Sequence, residues 1–353
     1  MNPSRHHGTT IVEILVVVAA LVALLATFTP IAGGLSCDNQ VQQSLDNLRR
    51  IGTAHDQYAG DWNGRQFTLV ADDLGAFSGS CFFYAEANGC HPPLLLGHGC
   101  DGAPEGYFFG CGQGQCDSAF QLVKPMVFAP NAFDGAFRLV NAAGFNAYVN
   151  GRFYDPTFYA SGDTIPYGNA SPFFGKPCLD LEASGLVYSS YANSPAAMFD
   201  PEVMGAGTFQ YKNPNGYADG YKSPPASAAA YPELKTRTIE HQWLYSNPST
   251  TNPNFAGSVP WFFNHGIESR PATLFFDGSV RRLSVLEAMQ ADKRLSAQGG
   301  GSLWNRTTPL GSNGYYGAQA WDWVADTSFH VLTTKGILGR DTMSPAFAIP
   351  SDP

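Results

Sequence analysis

The N-terminal part of the chain carries one long apolar run. From Ile11 to Phe28 the sequence is almost wholly apolar, and Glu13 is its only ionisable residue. A helix rises about 1.5 Å per residue, so a run of this length is long enough to cross a bilayer core. The pattern predicts a transmembrane helix over residues 9–30. Arg5 precedes it, on the side that is expected to stay in the cytoplasm.

A second pattern follows, in which apolar positions recur every three or four residues. The stripe contains Val41, Leu45, Leu48, Ile51, His55 and Tyr58. This spacing places its members on one face of a helix, and the residues between them are mostly polar. We therefore predict an amphipathic helix over residues 31–60 that packs on a globular body, with a break near Pro30. On this stripe His55 is expected to be a core residue rather than a ligand.

Residues 61–353 show the short runs and frequent turn residues of an antiparallel β-rich domain. Runs predicted as strands include "AFRLV", "FNAYVNGRFY" and "LVYSSYA". The most legible pattern is a hairpin, with a strand over 272–276, an Asp277-Gly278 turn and a second strand over 279–285. The tail "SFHVLTTKGILGRDT" is predicted as a further strand and turn that closes the sheet.

Composition narrows the class of protein. Charged residues make up only 14% of the chain, while 38 Gly and 25 Pro accompany 25 Phe and 16 Tyr. This balance favours a turn-rich, aromatic, mainly β body over a helical bundle. A net charge of −9 without any basic run argues against a nucleic-acid partner.

Seven cysteines are present, and five of them lie in a Gly-rich loop over residues 75–120. We predict disulfides among these five, which are Cys81, Cys90, Cys100, Cys111 and Cys116. Such density is typical of an oxidising compartment, whereas zinc, the alternative, prefers closer ligand pairs than these. Free thiols are a third alternative. Because seven is odd, at least one cysteine lacks a partner within the chain, and Cys37 and Cys178 are expected to be left over.

The start of the chain resembles a known signal. Gly8, Thr9 and Glu13, followed by the apolar run, resemble the class III signal of type IV pilins and type II secretion pseudopilins. The resemblance implies cleavage after Gly8 by a prepilin peptidase, which frees the amine of Thr9 for methylation, although Phe is usual at that position. It also implies that Glu13 pairs with the freed amine of a neighbouring subunit during assembly, since a buried carboxylate without a partner is costly.

Other interpretations of the same segment stay open. An ordinary secretory signal peptide also has a basic start and an apolar run, although a shorter run without Glu is typical of it. A lipoprotein signal that ends at Cys37 is a further option. Glu13 lies near the end of the apolar run, where its carboxylate can also reach the lipid headgroups without any partner.

Two later stretches resemble one branch of the same superfamily. "NLRRIGTAHDQYAGDWNG" is similar to the run after the membrane helix in the processing-associated His-x9-Asp-Gly family of prepilin-type proteins. The motif that names this family is matched imperfectly by His265, Asp277 and Gly278, because eleven residues rather than nine separate His265 from Asp277. The Asp-Gly pair is expected to form a structural turn rather than a functional site.

Motifs of common enzyme classes are absent from the sequence, which contains no HExxH, GxSxG or P-loop. We therefore expect a protein that is not an enzyme and has no cofactor. "DWNG" at Asp61 and "NPNG" at Asn213 resemble fragments of a calcium loop, so a calcium site stays open. A C-terminal aromatic cluster is expected to be core rather than a sugar-binding surface; it comprises Trp304, Tyr315, Tyr316, Trp321 and Trp323.

These observations predict an α+β, pilin-like fold. Its long N-terminal spine helix, a membrane half and an amphipathic half, would pack on an antiparallel β-sheet with long loops. After removal of the leader 1–8, the subunit would sit in the inner membrane with a single pass, its C-terminal domain in the periplasm or in an extracellular filament. It would assemble with other pilin or pseudopilin subunits into a type II secretion or type IV pilus filament. The alternative is a membrane-anchored exported protein that binds a surface or a carbohydrate.

Overall fold

A computed structural model describes residues 38–110, 118–128, 135–205, 211–240, 269–310, 314–318 and 326–344. Within these ranges the eight α-helices are α1 (38–61), α2 (Cys81–Asn88), α3 (Ala143–Asn146), α4 (Thr164–Ala170), α5 (Leu181–Ser184), α6 (Pro195–Met198), α7 (Val285–Ala297) and α8 (Tyr315–Ala318). The strands are β1 (Leu94–His98), β2 (Pro104–Tyr107), β3 (Tyr191–Asn193), β4 (Thr236–Glu240), β5 (Ala272–Phe275) and β6 (Val280–Arg282).

The connections between these elements contain short 3-10 turns. They are Leu74–Phe77, Ser118–Val123, Ala136–Arg138, Pro156–Phe158, Ser171–Phe173, Pro201–Met204, Pro214–Gly216, Ala226–Ala228 and Gly336–Leu338. Proline occupies the start of several of these turns, where its fixed φ suits a helical turn and its missing N–H is not needed.

The described strands form two small antiparallel sheets. β1 and β2 make a two-stranded ribbon, and the other four strands form a sheet in the order β3-β4-β5-β6. The last pair is a hairpin in which Ala272 faces Arg282 and Leu274 faces Val280. The Asp277-Gly278 turn joins the two strands, and Gly278 supplies its positive φ of 81°. The hairpin predicted from the sequence is therefore present, but its second strand is shorter than the predicted 279–285, because Val285 begins α7.

Helix α1 packs its apolar stripe against the four-stranded sheet. Leu48 and Ile51 have no exposed surface, and burial of each such side chain contributes about 1.5–3 kcal/mol to stability. Gly52 permits the close approach, because a Cβ added there would lie 3.1 Å from Leu274 Cδ1 on β5. His55, also on the stripe, is buried, and its Nε2 lies 3.2 Å from the Thr238 hydroxyl of β4.

Several predicted strands are wrong. The first of them, "AFRLV", contains the 3-10 turn Ala136–Arg138, and "FNAYVNGRFY" begins in α3. Of "LVYSSYA" only the end joins a strand, β3. The C-terminal tail holds an isolated bridge between Trp304 and Thr333 and a 3-10 turn, but no strand within its described residues 326–344. Buried aromatic runs satisfy the alternating pattern of a strand equally well when they line an irregular core.

The predicted fold is also wrong in its main feature. Among the described residues there is no long spine helix with an apolar half, and none of their helices is long and apolar enough to cross a membrane. The apolar stripe of α1 packs on the sheet, and its outer face carries the exposed charges of Asp46, Arg49 and Arg50. No apolar face of α1 is therefore left for lipid. This finding contradicts the predicted single pass through the inner membrane. The leader 1–8 and the span 9–30 lie outside the described residues.

The described members of the C-terminal aromatic cluster are in the core. Trp304 is 1% exposed, and Tyr315 and Tyr316 have no exposed surface, so none of these three rings is open to a sugar. Trp321 and Trp323 lie outside the described residues.

Candidate functional site

Most of the residues that the sequence singled out for function lie outside the described ranges. Gly8, Thr9 and Glu13 do so, as does His265. Asp277, by contrast, is described, and its Oδ1 accepts a hydrogen bond of 2.8 Å from the Ser279 amide. This bond closes the hairpin turn, so the side chain is already used by local structure.

Four of the seven cysteines lie in the described ranges. Cys100 and Cys178 form a disulfide with a Cα–Cα distance of 4.9 Å across a sequence separation of 78. The expectation that Cys178 is left over is therefore wrong. Cys81 and Cys90 are also in disulfides, and Cys111 and Cys116 lie outside the described residues.

A polar contact holds the first turns of α1 to the body. The Ser44 hydroxyl lies 3.0 Å from the Tyr191 hydroxyl on β3, and Asn47 Nδ2 donates to the same oxygen at 3.2 Å. Asn47 also donates to the carbonyl of Pro156. The side chains of Ser44, Asn47 and Tyr191 are all buried. Because buried polar groups are costly without partners, these bonds select one position of α1 on the sheet.

The strongest concentration of charge in the described core is an ion pair between Lys235, which precedes β4, and Asp341 in the C-terminal segment. Lys235 Nζ lies 2.8 Å from Asp341 Oδ2, and neither side chain has any exposed surface. Lys235 also donates to the hydroxyls of Ser194 and Thr333, each at 2.9 Å. We call this group, with Thr236 and His330, the Lys235–Asp341 network.

Every oxygen of the Asp341 carboxylate is engaged. Oδ1 accepts from the His330 amide and the Thr333 hydroxyl, both at 2.6 Å. Oδ2 accepts from Lys235 and from both the amide and the hydroxyl of Thr236, at 3.0 and 2.6 Å. A buried ion pair is tolerable only when its remaining donors and acceptors are satisfied in this way.

The electrostatics of the network favour the charged carboxylate. Burial would raise the pKa of Asp341, but the Lys235 charge and the hydrogen bonds from Lys235 and Thr236 lower it to about 2. Burial lowers the pKa of Lys235, and Asp341 opposes that shift. Five hydrogen bonds stabilise the Asp341 carboxylate anion, so Lys235 and Asp341 form an ion pair. Burial and the Lys235 charge lower the pKa of His330 to about 3, so its ring is neutral at pH 7.

The network contains Ser, His, Asp and Lys, which are residue types of hydrolytic sites, but its geometry does not suit catalysis. The Ser194 hydroxyl donates to the backbone carbonyl of His330 rather than to an imidazole nitrogen. No member is more than 2% exposed, so a substrate cannot reach the group. A base aligned with the nucleophile and access for a reacting atom are both needed for such chemistry. The network instead ties the C-terminal segment to β4.

The described residues contain no group of three or more His, Cys, Asp or Glu that could hold a metal ion. Both calcium-loop fragments have protein partners. Asp61 Oδ2 accepts from the Tyr148 hydroxyl at 3.0 Å, and the Asn213 side chain caps the 3-10 turn Pro214–Gly216.

Sequence reasoning missed the Lys235–Asp341 network. A single Lys and a single Asp, 106 residues apart, carry no spacing signal. The one available hint was the cluster of small polar residues in "ELKTRTIE" and "TTKGILGRDT", which are unusual in a buried strand and its neighbour. Comparison with protein-family models, with curated proteins and with solved structures finds no match to this chain.

Proposed function

We propose that this chain is a structural subunit that is cleaved after Gly8 by a prepilin peptidase. It then assembles through its N-terminal segment into a filament of the type II secretion or type IV pilus kind. The observation that supports the proposal is the attachment of α1 to the body by apolar packing and hydrogen bonds. In the sequence α1 follows the segment that carries Gly8 and Glu13. The role is mechanical rather than catalytic.

The attachment of α1 suits an element that transmits load. Its buried stripe contacts the sheet. In its first turns, the side chains of Ser44 and Asn47 form hydrogen bonds with the Tyr191 hydroxyl. Near its end, Asp56 accepts from Arg237 of β4 at 3.2 Å. Apolar packing and hydrogen bonds along one face keep α1 from sliding on the sheet, because any shift would leave buried polar groups unpaired.

Oxidised cysteines support export of the body from the cytosol. A disulfide such as Cys100–Cys178 persists in an oxidising compartment and is rare where glutathione keeps thiols reduced. An exported body attached to a processed N-terminal segment is what assembly outside the cytosol requires.

Within this proposal Glu13 is the recognition element of assembly. Cleavage after Gly8 leaves a charged amine on Thr9, and a carboxylate four residues later can pair with the amine of the next subunit. A subunit in the wrong register would leave both charges unpaired, so the pair favours one register.

Mass spectrometry of the mature N-terminus tests the cleavage. We expect a chain that starts at Thr9. A start near Ala32, or a lipid on Cys37, would contradict the proposal.

Assembly is tested with Glu13→Leu, scored by the amount of filament recovered per cell. We expect filament yield to fall by at least tenfold while cleavage and protein level stay normal. Glu86→Ala is the matched control, because it removes one exposed carboxylate from the body and should leave filaments unchanged. Normal filaments with Glu13→Leu would overturn the assembly role.

A further inference from the structure

A cavity of about 250 Å³ lies beside the Cys100–Cys178 disulfide, at the ends of β1 and α3. We call it the disulfide pocket. The described residues that line it and enter the argument are His98, Asn146, Arg152, Tyr154, Phe173 and Lys176.

The walls of the disulfide pocket are fixed by bonds on several sides. Cys178 is tied to Cys100, and the next residue, Leu179, donates its amide to the His98 carbonyl at 2.8 Å. Elsewhere in the lining, buried Asn146 donates to the carbonyls of Leu96 and Asn141, at 3.3 and 2.9 Å. A pocket whose walls are already ordered loses little entropy when a ligand enters.

The charge of the pocket is opposite to that of the protein. Arg152 and Lys176 line it, and among its described lining residues there is no Asp or Glu. Neither cation takes part in any ion pair of the described chain. His98 adds further hydrogen-bonding capacity. In a chain with a net charge of −9, two cations without carboxylate partners around one cavity favour an anionic ligand.

An aromatic wall faces these cations. The rings of Tyr154 and Phe173 lie 5.4 Å apart with 35° between their planes. Lys176 Nζ lies 4.6 Å from the centre of the Phe173 ring. The Tyr154 hydroxyl donates to the Gly185 carbonyl at 2.5 Å, which holds its ring in place. Aromatic rings offer an apolar face to a ring-shaped ligand while the cations bind its charged group.

We propose that the disulfide pocket binds a small organic anion with an apolar ring face, of the class of carboxylate-bearing sugars. Arg152 binds the carboxylate with its planar guanidinium and Lys176 contributes a second charge. The partly exposed Phe173 ring, backed by the buried Tyr154 ring, packs against the ligand ring. A cavity of about 250 Å³ can hold one sugar ring. The same chemistry is offered by a free acidic monosaccharide and by the terminal unit of an acidic glycan.

Isothermal titration calorimetry with sodium glucuronate tests the proposal on the full-length oxidised protein. We expect saturable binding of glucuronate and none of glucose, which has the same ring without the charge. Arg152→Gln and Lys176→Gln should each weaken the affinity for glucuronate by about tenfold. Lys222→Gln is the matched control, because this exposed lysine lies near Asp219 and does not line the pocket; it should bind glucuronate as the unaltered protein does.

A second titration, with a tetramer of uronate units, distinguishes a free acidic monosaccharide from the terminal unit of a glycan as the ligand. Binding of the tetramer tenfold or more tighter than the monomer assigns the pocket to the end of a glycan, and equal affinities assign it to a free monosaccharide. Either result supports the proposal if Arg152→Gln weakens it. Absence of binding to both probes, or binding unaffected by Arg152→Gln and Lys176→Gln, would overturn it. This inference is independent of filament assembly, because none of its residues belongs to α1 or to the N-terminal segment that carries Gly8 and Glu13.

Discussion

The Lys235–Asp341 network and the disulfide pocket use the same kinds of charged side chain in opposite ways. In the network one cation meets one carboxylate, and neither has any exposed surface. In the pocket two cations line an open cavity and meet no carboxylate among the described residues. The charges of the network neutralise each other, and the network is inaccessible to solvent. The pocket is accessible, and its two cations have no carboxylate partner among the described residues.

This difference separates structural from ligand-binding roles better than residue type does. Ser, His, Asp and Lys in the network look like reactive groups in a sequence, yet every one is committed to a bond within the core. Arg152 and Lys176 look like ordinary surface cations, yet the disulfide and the aromatic wall place them around one space. Three variants test the comparison.

The largest effect is expected from loss of charge balance in the network. Asp341→Asn preserves the shape of the side chain but leaves Lys235 charged, buried and without its carboxylate. We expect the free energy of unfolding to fall by about 3–5 kcal/mol, measured by urea denaturation. Asp219→Asn breaks an exposed pair with Lys222 and should cost less than about 1 kcal/mol. Equal losses in the two variants would show that burial does not set the value of the Lys235–Asp341 pair.

A smaller loss is expected from opening the wall of the pocket. Replacing both Cys100 and Cys178 by Ser removes a crosslink between residues 78 apart. We expect stability to fall by about 2–4 kcal/mol, because the unfolded chain regains freedom. Glucuronate affinity should fall as well, since the cations are then held less firmly. Calorimetry on the double variant checks both quantities, and unchanged binding would show that the wall does not order the pocket.

A third case is a buried carboxyl group that forms no ion pair within the described ranges. Asp163 is 4% exposed, and neither of its carboxyl oxygens has a hydrogen-bond partner among the described residues. Burial raises its pKa well above the usual value, and the Glu240 carboxylate adds to this shift. The folded state therefore holds a proton that the unfolded state releases above about pH 4, and stability falls as pH rises through the folded pKa.

Asp163→Asn should remove this pH dependence. We expect the variant to be about 1–3 kcal/mol more stable than the unaltered protein at pH 8, with the gap closing as pH falls towards 4. Unfolding free energies measured across this range provide the check. Asp73→Asn, at an exposed site, serves as the control for a lost carboxylate. A gap that is constant with pH would mean that Asp163 is ionised in the folded state.

Prediction from sequence works in this chain where contacts are local. The spacing of Leu48, Ile51 and Tyr58 falls on the face that α1 buries, because helical periodicity is a property of neighbouring residues. The Asp277-Gly278 hairpin is readable for the same reason, since two turn residues set the pairing of the strands beside them. The predicted strands "AFRLV" and "FNAYVNGRFY" failed because an aromatic run packs equally well in an irregular core.

Contacts between distant parts of the chain could not be predicted from the sequence. Cys178 was expected to be left over and is bonded to Cys100, since pairing depends on which loops the fold brings together. The Lys235–Asp341 pair and the disulfide pocket likewise join segments with no shared pattern. Local spacing specifies which face of α1 is apolar and where the chain turns back. Only the packed core specifies which charges are neutralised within it and which stay open to a ligand, because burial and partner choice are properties of the whole fold.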